Sequence, residues 1–551
     1  MVSDISENKA SQSFVSGIIV LTVANILTKV IGLVFKIPLT NMLGDAGMGY
    51  FNTAYQIYTW LYMISTAGLP VALSLMVSEY SAKNDTGKIK QIFRTTLLVF
   101  GILGLIGSVT LISFCRQIAS FISADLSYLC ILSIAPALFF ICISSTVRGY
   151  FQGYRNMIPT AFSEVIEAAG KLIIGISLGY YALNKGYPIH TVAAYAIFGI
   201  TIGIAAGTLF LTVFSLIKKP ASPIVQPSTN TSESKAKLFV TFLKIALPVM
   251  LSSSLLSMSS MIDTMIVIRR LKGTGLSEQA AVSLYGNYTA YCVTLFNLPP
   301  VLIYPIANTL IPSISAARAR GDKGYMKFLM FKSLKLASVI ALPCALGLAV
   351  LSGPILKLIF SDAASAEMAA PLLASLAPSV FLIGVMAVTN SILQSFRMQK
   401  LSVFSMAMGA IVKAVSAYFL VGIRIGDGYL HMYASPISTF LFYLTITLLN
   451  LYFISRYIKI SLPMTQIFLR PFAAAFVCAI SASGAYIITM KLLDSNSIST
   501  LFSIALSAVV YLVSLWLFGG ITADDLKLIP KAEALFQKNK KLANKLGLSK
   551  K

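Results

Sequence analysis

Long apolar runs alternate along the chain with short polar or charged clusters. The runs centre on residues 14–38, 51–79, 92–114, 127–148, 158–182, 190–217, 238–268, 283–312, 333–352, 369–394, 401–421, 432–455, 464–490 and 498–519. A bilayer-spanning helix needs about 20 mostly apolar residues, so the pattern predicts an all-α integral membrane protein of about fourteen spans. Between spans 6 and 7 the pattern breaks at KKPASPIVQPSTNTSESKAK (Lys218–Lys237), a Pro/Ser/Thr-rich connection.

The chain also repeats itself. At a shift of 242 residues, APALFFICISSTVRGYFQGYRNMIPTAFSEVIEAAGK faces APSVFLIGVMAVTNSILQSFRMQKLSVFSMAMGAIVK, with ten identities in 37 ungapped positions. Arg155, Ser163 and Lys171 match Arg397, Ser405 and Lys413. A weaker echo sets NDTGKIKQIF against RGDKGYMKFL. The pattern thus divides the chain into a six-helix lobe at 1–217, a linker at 218–237, a second six-helix lobe at 238–455, two further helices within 456–519 and a basic tail at 520–551. Six spans is an even number, so both lobes enter the membrane the same way. That is a parallel, pseudo-symmetric repeat, a transporter architecture with the substrate between the halves.

Charge orients these helices. The net charge is +24, which in a soluble chain would suggest nucleic acid. With 57% hydrophobic and 11% charged residues, the positive-inside rule and anionic lipids explain it instead. With both termini cytoplasmic, thirty-one of the 43 Lys and Arg residues fall inside, nine outside and three at membrane depth. The inside set includes Arg148 and Arg155, read as a loop between spans 4 and 5. No cleavable signal is expected at the start. The six cysteines and two histidines show no metal or disulfide spacing, and the cysteines read as packing residues. The basic tail reads as a surface-lying helix or a solvated segment.

Candidate chemistry lies in ionisable residues within apolar helices, where a charge costs roughly 2.5–3.5 kcal/mol on insertion scales and usually faces a cavity or a partner. There are six: Lys29, Glu164, Glu167, Lys171, Asp263 and Lys413. Glu164, Glu167 and Lys171 share one helical face. Their repeat equivalents are Met406, Gly409 and Lys413, so only the lysine persists. Lys171 and Lys413 are therefore expected to face each other across a central cavity and to bind a diphosphate, with Glu164 and Glu167 as tuning partners. The plainer reading is a Glu167–Lys171 pair that neutralises itself. Lys29 and Lys36 share a face of span 1, where Pro38 is expected to bend or end the helix; Lys36 either serves the cavity or reaches the outer interface. Ser253, Ser257, Ser260 and Thr264 form a small-residue stripe on span 7, read as packing. Asp263 requires a partner, either a lysine or a coupling cation. Arg269 and Arg270 break the charge rule outside and either guide an anion or meet lipid headgroups. No P-loop, HExxH or nucleophile elbow is present.

The SEY sequence before a short basic loop, the segment RGYFQGYRNMIPTAFSEVIEAAGK and the first-helix segment NILTKVIGLVFKIPLTNMLGDAGMG resemble the polysaccharide-export branch of the MOP exporter superfamily, within it the MurJ and stage V sporulation protein B group. The resemblance covers nearly the whole chain. It implies a V-shaped two-lobe fold with a cationic cavity and flipping of undecaprenyl-diphosphate-linked sugars such as lipid II. It also implies a first-helix cation against the diphosphate. Lys29 occupies that place, with lysine where arginine is usual, which gives a point charge in place of a bidentate fork. Spans 13 and 14 would form a groove for the lipid tail.

The expected function is therefore a flippase moving a lipid-linked saccharide, most simply lipid II, outward across a bacterial cytoplasmic membrane by alternating access. No cofactor is expected; Na+, H+ or the membrane potential would supply coupling, with Asp263 as candidate cation site. Expected partners are the lipid-linked saccharide, anionic lipids and cell-wall synthases, and no nucleic acid. The alternatives are export of another lipid-linked polysaccharide unit, multidrug/cation antiport by a relative of the same superfamily, and a scaffold for cell-wall synthases. A glycosyltransferase fits least, for want of large extramembrane loops.

Overall fold

A computed structural model describes residues 2–82, 85–154, 156–217, 235–425, 428–459 and 463–519. The linker from 218 to 234 and the tail from 520 lie outside the described residues, as does Arg155. The described chain is almost wholly helical. Lipid offers backbone amides no hydrogen-bond partner, so each segment must satisfy its own. The one exception is a small antiparallel ribbon pairing Arg424–Ile425 with Gly428–Tyr429.

Two compact bodies emerge, Met1–Ala290 with Lys413–Ser435, and Tyr291–Val412 with Pro436–Lys551. The first contains α1 (Val2–Ala82), α2 (Thr86–Ile122), α3 (Tyr128–Ile134), α4 (Ala137–Gly153), α5 (Ile158–Asn184), α6 (Ile189–Ile217), α7 (Lys235–Ile262), α8 (Ile268–Gly273) and α9 (Glu278–Asn287). The second contains α10 (Val293–Phe296), α11 (Pro300–Ala319), α12 (Lys323–Val350), α13 (Ser352–Ile359), α14 (Ala363–Leu376), α15 (Pro378–Ser395), most of α16 (Gln399–Leu420), α17 (Ala434–Phe453), α18 (Arg470–Leu493) and α19 (Asn496–Leu517).

Among the described residues, eleven helices are long and apolar enough to cross a membrane, or twelve with the bent pair Val240–Leu255 and Ser257–Gly273 taken as one span. The first of them, Val23–Ser81, is 59 residues long and contains two spans, because α1 breaks at Gly44 (φ 60°). Helix α5, 27 residues long with three charges, completes the fourteen expected. Of the two outcomes expected at Pro38, an end to the helix does not occur there, since Pro38 stays inside α1. The break comes six residues later, at the positive φ of Gly44, a conformation that glycine adopts without strain.

The expected eighth span, 283–312, is also interrupted. Helix α10 stops at Phe296 and α11 starts at Pro300, since Pro299 and Pro300 lack the N–H groups that would continue the ladder. The repeat is visible in the elements. Ala135–Pro136 separates α3 from α4, and at the equivalent place Ala377 separates α14 from α15, which begins at Pro378.

In the first body α5 and α6 pack backbone to backbone. A Cβ on Gly203 would meet the Glu167 carbonyl and the Lys171 amide at 2.8 Å. A Cβ on Gly170 would lie 2.6 Å from the Gly203 Cα. Small residues at such contacts let helices approach closely without a hydrophobic driving force. This contact fixes the rotation of α5 and therefore the direction of its charged face. The second body buries a separate core, with Leu334, Met330, Ile392, Leu393 and Ile467 at its centre.

Candidate functional site: a lysine pair and an arginine–carboxylate lock

The charged face of α5 meets α1 and α4 in the first body, and the structure divides its charges into two groups. Arg148, on α4, takes both carboxylates. Its Nη2 donates to Glu167 Oε2 at 2.7 Å, its Nη1 lies 3.9 Å from Glu164 Oε1, and its Nε donates to Ser163 Oγ at 3.1 Å. The Arg148 side chain is 5% exposed. This corrects the expectation that Arg148 lies in a loop. Its guanidinium belongs to a buried ion-pair group, and removing it from the inside-loop count leaves the charge asymmetry intact. It also takes the place of the Glu167–Lys171 pair of the plainer reading, because the five-donor fork of arginine spans two carboxylates and a hydroxyl together.

Lys171, released from the carboxylates, turns to α1. Its Nζ donates to Tyr55 Oη at 3.3 Å and sits 4.8 Å and 4.9 Å from the centroids of the Phe35 and Tyr55 rings. Ring faces attract ammonium groups without neutralising them. Lys36 donates to Asn52 Oδ1 at 3.2 Å, and Asn52 donates to Thr289 Oγ1 at 2.9 Å. Lys36 and Lys171 stand close enough to repel each other. Lys29, two turns before Lys36, is exposed, and its charge reaches Tyr55. Lys171 therefore lies against Tyr55 and Lys36 against Asn52, three residues earlier on α1, and neither lysine pairs with a carboxylate among the described residues. Such a group can receive an anion with two or more charged oxygens.

Lys413 is elsewhere. Its Nζ is bonded to Asp263 Oδ2 and Ser259 Oγ, each at 2.8 Å, and the residue is 1% exposed. The expectation that Lys413 mirrors Lys171 as a cavity-facing cation is corrected. Asp263 supplies the second half with a counter-charge that Lys171 lacks. Arg270 stacks on Tyr418 at 4.4 Å and donates to its carbonyl at 3.1 Å, and Arg269 lies over Phe121 at 5.5 Å. These two contacts hold α8 in place and leave Arg270 half-buried.

Sequence reasoning missed Arg148, Asn52 and Tyr55. The repeat held a signal for the first, since Arg148 faces Asn390, and both lie inside aligned apolar runs. In the second body Asn390 is 6% exposed. It accepts from Ser402 and from Asn450, both at 2.7 Å, a neutral network where the first half has a charged one. A groove of about 530 Å³ between α2, α4 and α6, lined by Leu98, Ile102, Phe140 and Leu209 among others, is apolar and separate from this chemistry.

The family described as polysaccharide biosynthesis protein matches residues 14–318, more than half of the chain. The chain belongs to that family. A second family, MatE, matches residues 248–419, and both lie within the MOP superfamily. Stage V sporulation protein B of Bacillus subtilis (strain 168) is 26% identical over 526 residues, covering 95% of this chain and 98% of its own. Lipid II flippase MurJ of the same organism is 26% identical over 433 residues, covering 76% and 79%. Among solved structures, lipid II flippase MurJ in an inward closed conformation gives a TM-score of 0.70 at 14% identity, over 91% of this chain and 98% of that one. An inward-facing MATE family transporter gives 0.65 at 15% identity, over 79% and 96%. These two likenesses establish the fold. The protein is thus a multi-pass membrane member of the polysaccharide biosynthesis family, and its relatives are transporters.

Proposed function

We propose that this chain is a flippase that carries a diphosphate-linked lipid saccharide from the inner to the outer leaflet of a bacterial cytoplasmic membrane by alternating access, with lipid II as substrate and both termini cytoplasmic. The observation that carries the reading is the charge sorting on α5. Arg148 takes both carboxylates, and Lys171 and Lys36 retain only neutral partners. Two ammonium groups at membrane depth are costly unless an anion arrives to share them. A diphosphate brings about two negative charges and accepts charge-assisted hydrogen bonds from both.

The relatives support the substrate class, since one is named a lipid II flippase. The membrane potential would drive the step, as expelling two negative charges gains roughly 4–5 kcal/mol per 100 mV. Anionic lipids would line the basic inner edge, and cell-wall synthases would consume the product. Antiport of cationic drugs is less well supported, because Glu164 and Glu167 are already engaged by Arg148. Expression in a strain depleted of its lipid II flippase tests the reading. Rescue of growth together with restored outer-leaflet lipid II supports it. Stable expression with no rescue and no outer-leaflet lipid II refutes the lipid II assignment.

A further inference from the structure

The Lys413–Asp263 pair has the composition of a cation site with the cation already built in. Asp263 is 5% exposed and begins a single π-helical turn, Asp263–Val267, between α7 and α8. Such turns are rare and occur often at functional sites. One carboxylate oxygen, Oδ2, and Ser259 Oγ both accept from Lys413 Nζ at 2.8 Å. The other, Oδ1, is fully buried. Ser435, fully buried, lies beside the carboxylate. Carboxylate and hydroxyl oxygens form the hard ligand set that small cations take. The nitrogen between these oxygens belongs to a residue 150 positions away along the chain.

We infer that Lys413 is a tethered cation filling a monovalent-cation site made by Asp263, Ser259 and Ser435, so that this residue frees the protein from dependence on external Na+. The carboxylate requires a positive charge because burying it alone is costly, and the lysine supplies that charge permanently. An exchangeable ion would report the Na+ gradient to α7, whereas a covalently tethered one cannot. Asp263 was a candidate for an ion site on sequence grounds; the side chain that fills it lies on α16.

The test needs no substrate and so stands apart from the proposed flipping activity. The full chain is purified in detergent, and its thermal unfolding is compared in about 300 mM NaCl and 300 mM choline chloride, with 22Na+ binding measured directly. The wild type is expected to melt at the same temperature in both salts and to bind no Na+. Lys413→Ser opens the site and is expected to melt several degrees higher in NaCl, whereas Asp263→Asn with Lys413→Ser shows no difference between salts. Saturable Na+ binding by the wild type overturns the inference, as does a folded Lys413→Ser variant indifferent to Na+. If Lys413→Ser does not fold in either salt, Lys413→Gln takes its place in the same comparison. If neither variant folds, the wild-type binding measurement decides alone.

Discussion

Replacing Arg148 by methionine keeps most of the side-chain volume and removes the charge. In the native structure that guanidinium makes a 2.7 Å contact to Glu167, a 3.9 Å contact to Glu164 and a 3.1 Å hydrogen bond to Ser163. The carboxylate side chains are 24% exposed for Glu164 and 16% for Glu167, so water shields them only in part. Removing one partner of a buried pair costs about 3–5 kcal/mol, because the remaining charge stays buried and uncompensated. The partial exposure places the expected loss for Arg148→Met near the lower end, about 3 kcal/mol. The sharper expectation concerns its reversal. Adding Glu164→Gln and Glu167→Gln removes the stranded charges, and the triple variant should recover most of the lost stability. Thermal unfolding of the detergent-purified proteins measures both effects. Equal melting temperatures for wild type and Arg148→Met, or a triple variant less stable than Arg148→Met, would refute the lock.

Other consequences follow from particular contacts. Gly203→Leu forces a side chain against the Glu167 carbonyl and the Lys171 amide; overpacking of this kind costs about 1–3 kcal/mol, read as a lower melting temperature and reduced flipping. Asp362 caps α14 by accepting from the Ala364 and Ser365 amides at 3.1 Å and 3.2 Å, so Asp362→Ala should lower stability by about 1 kcal/mol. The Ser365 hydroxyl and amide hold that carboxyl below its usual range. The cap's contribution is therefore present above the ordinary carboxylate pKa of about 3.9 and fades as the pH falls below it, which melting curves against pH would show. Asn450→Leu removes the amide that donates to Asn390 Oδ1 at 2.7 Å and to Thr389 Oγ1 at 3.2 Å, and a loss of roughly 1–3 kcal/mol is expected; no change in melting would show that network to be dispensable.

Span positions were legible in the sequence because lipid imposes a long apolar period and the structure keeps it. The shared face of Glu164, Glu167 and Lys171 was legible for the same reason, since three- and four-residue spacing fixes a helix face. Their partners were not. Arg148 lies in the last turns of α4, in a stretch whose polar residues and neighbouring Arg155 make it read as loop, and only its twin Asn390 marks it as interior. The partner of Lys413 is 150 residues away, beyond any local pattern. Tyr55 and Phe35 read as ordinary apolar positions, although an aromatic face that binds an ammonium differs little from one that packs a core. The break at Gly44 was hidden because sequence shows that a residue permits positive φ without showing that the chain uses it.

The central claim is that Lys36 and Lys171 receive the diphosphate. The most direct measurement is the flipping rate of a fluorescent, undecaprenyl-diphosphate-linked saccharide in proteoliposomes containing the wild type or the Lys36→Ala/Lys171→Ala variant, each with its melting temperature recorded. A charge-assisted hydrogen bond contributes about 1.5–3 kcal/mol, so loss of both lysines predicts a fall of at least about a hundredfold at unchanged folding. A double variant that folds normally and flips the substrate at the wild-type rate would contradict the account.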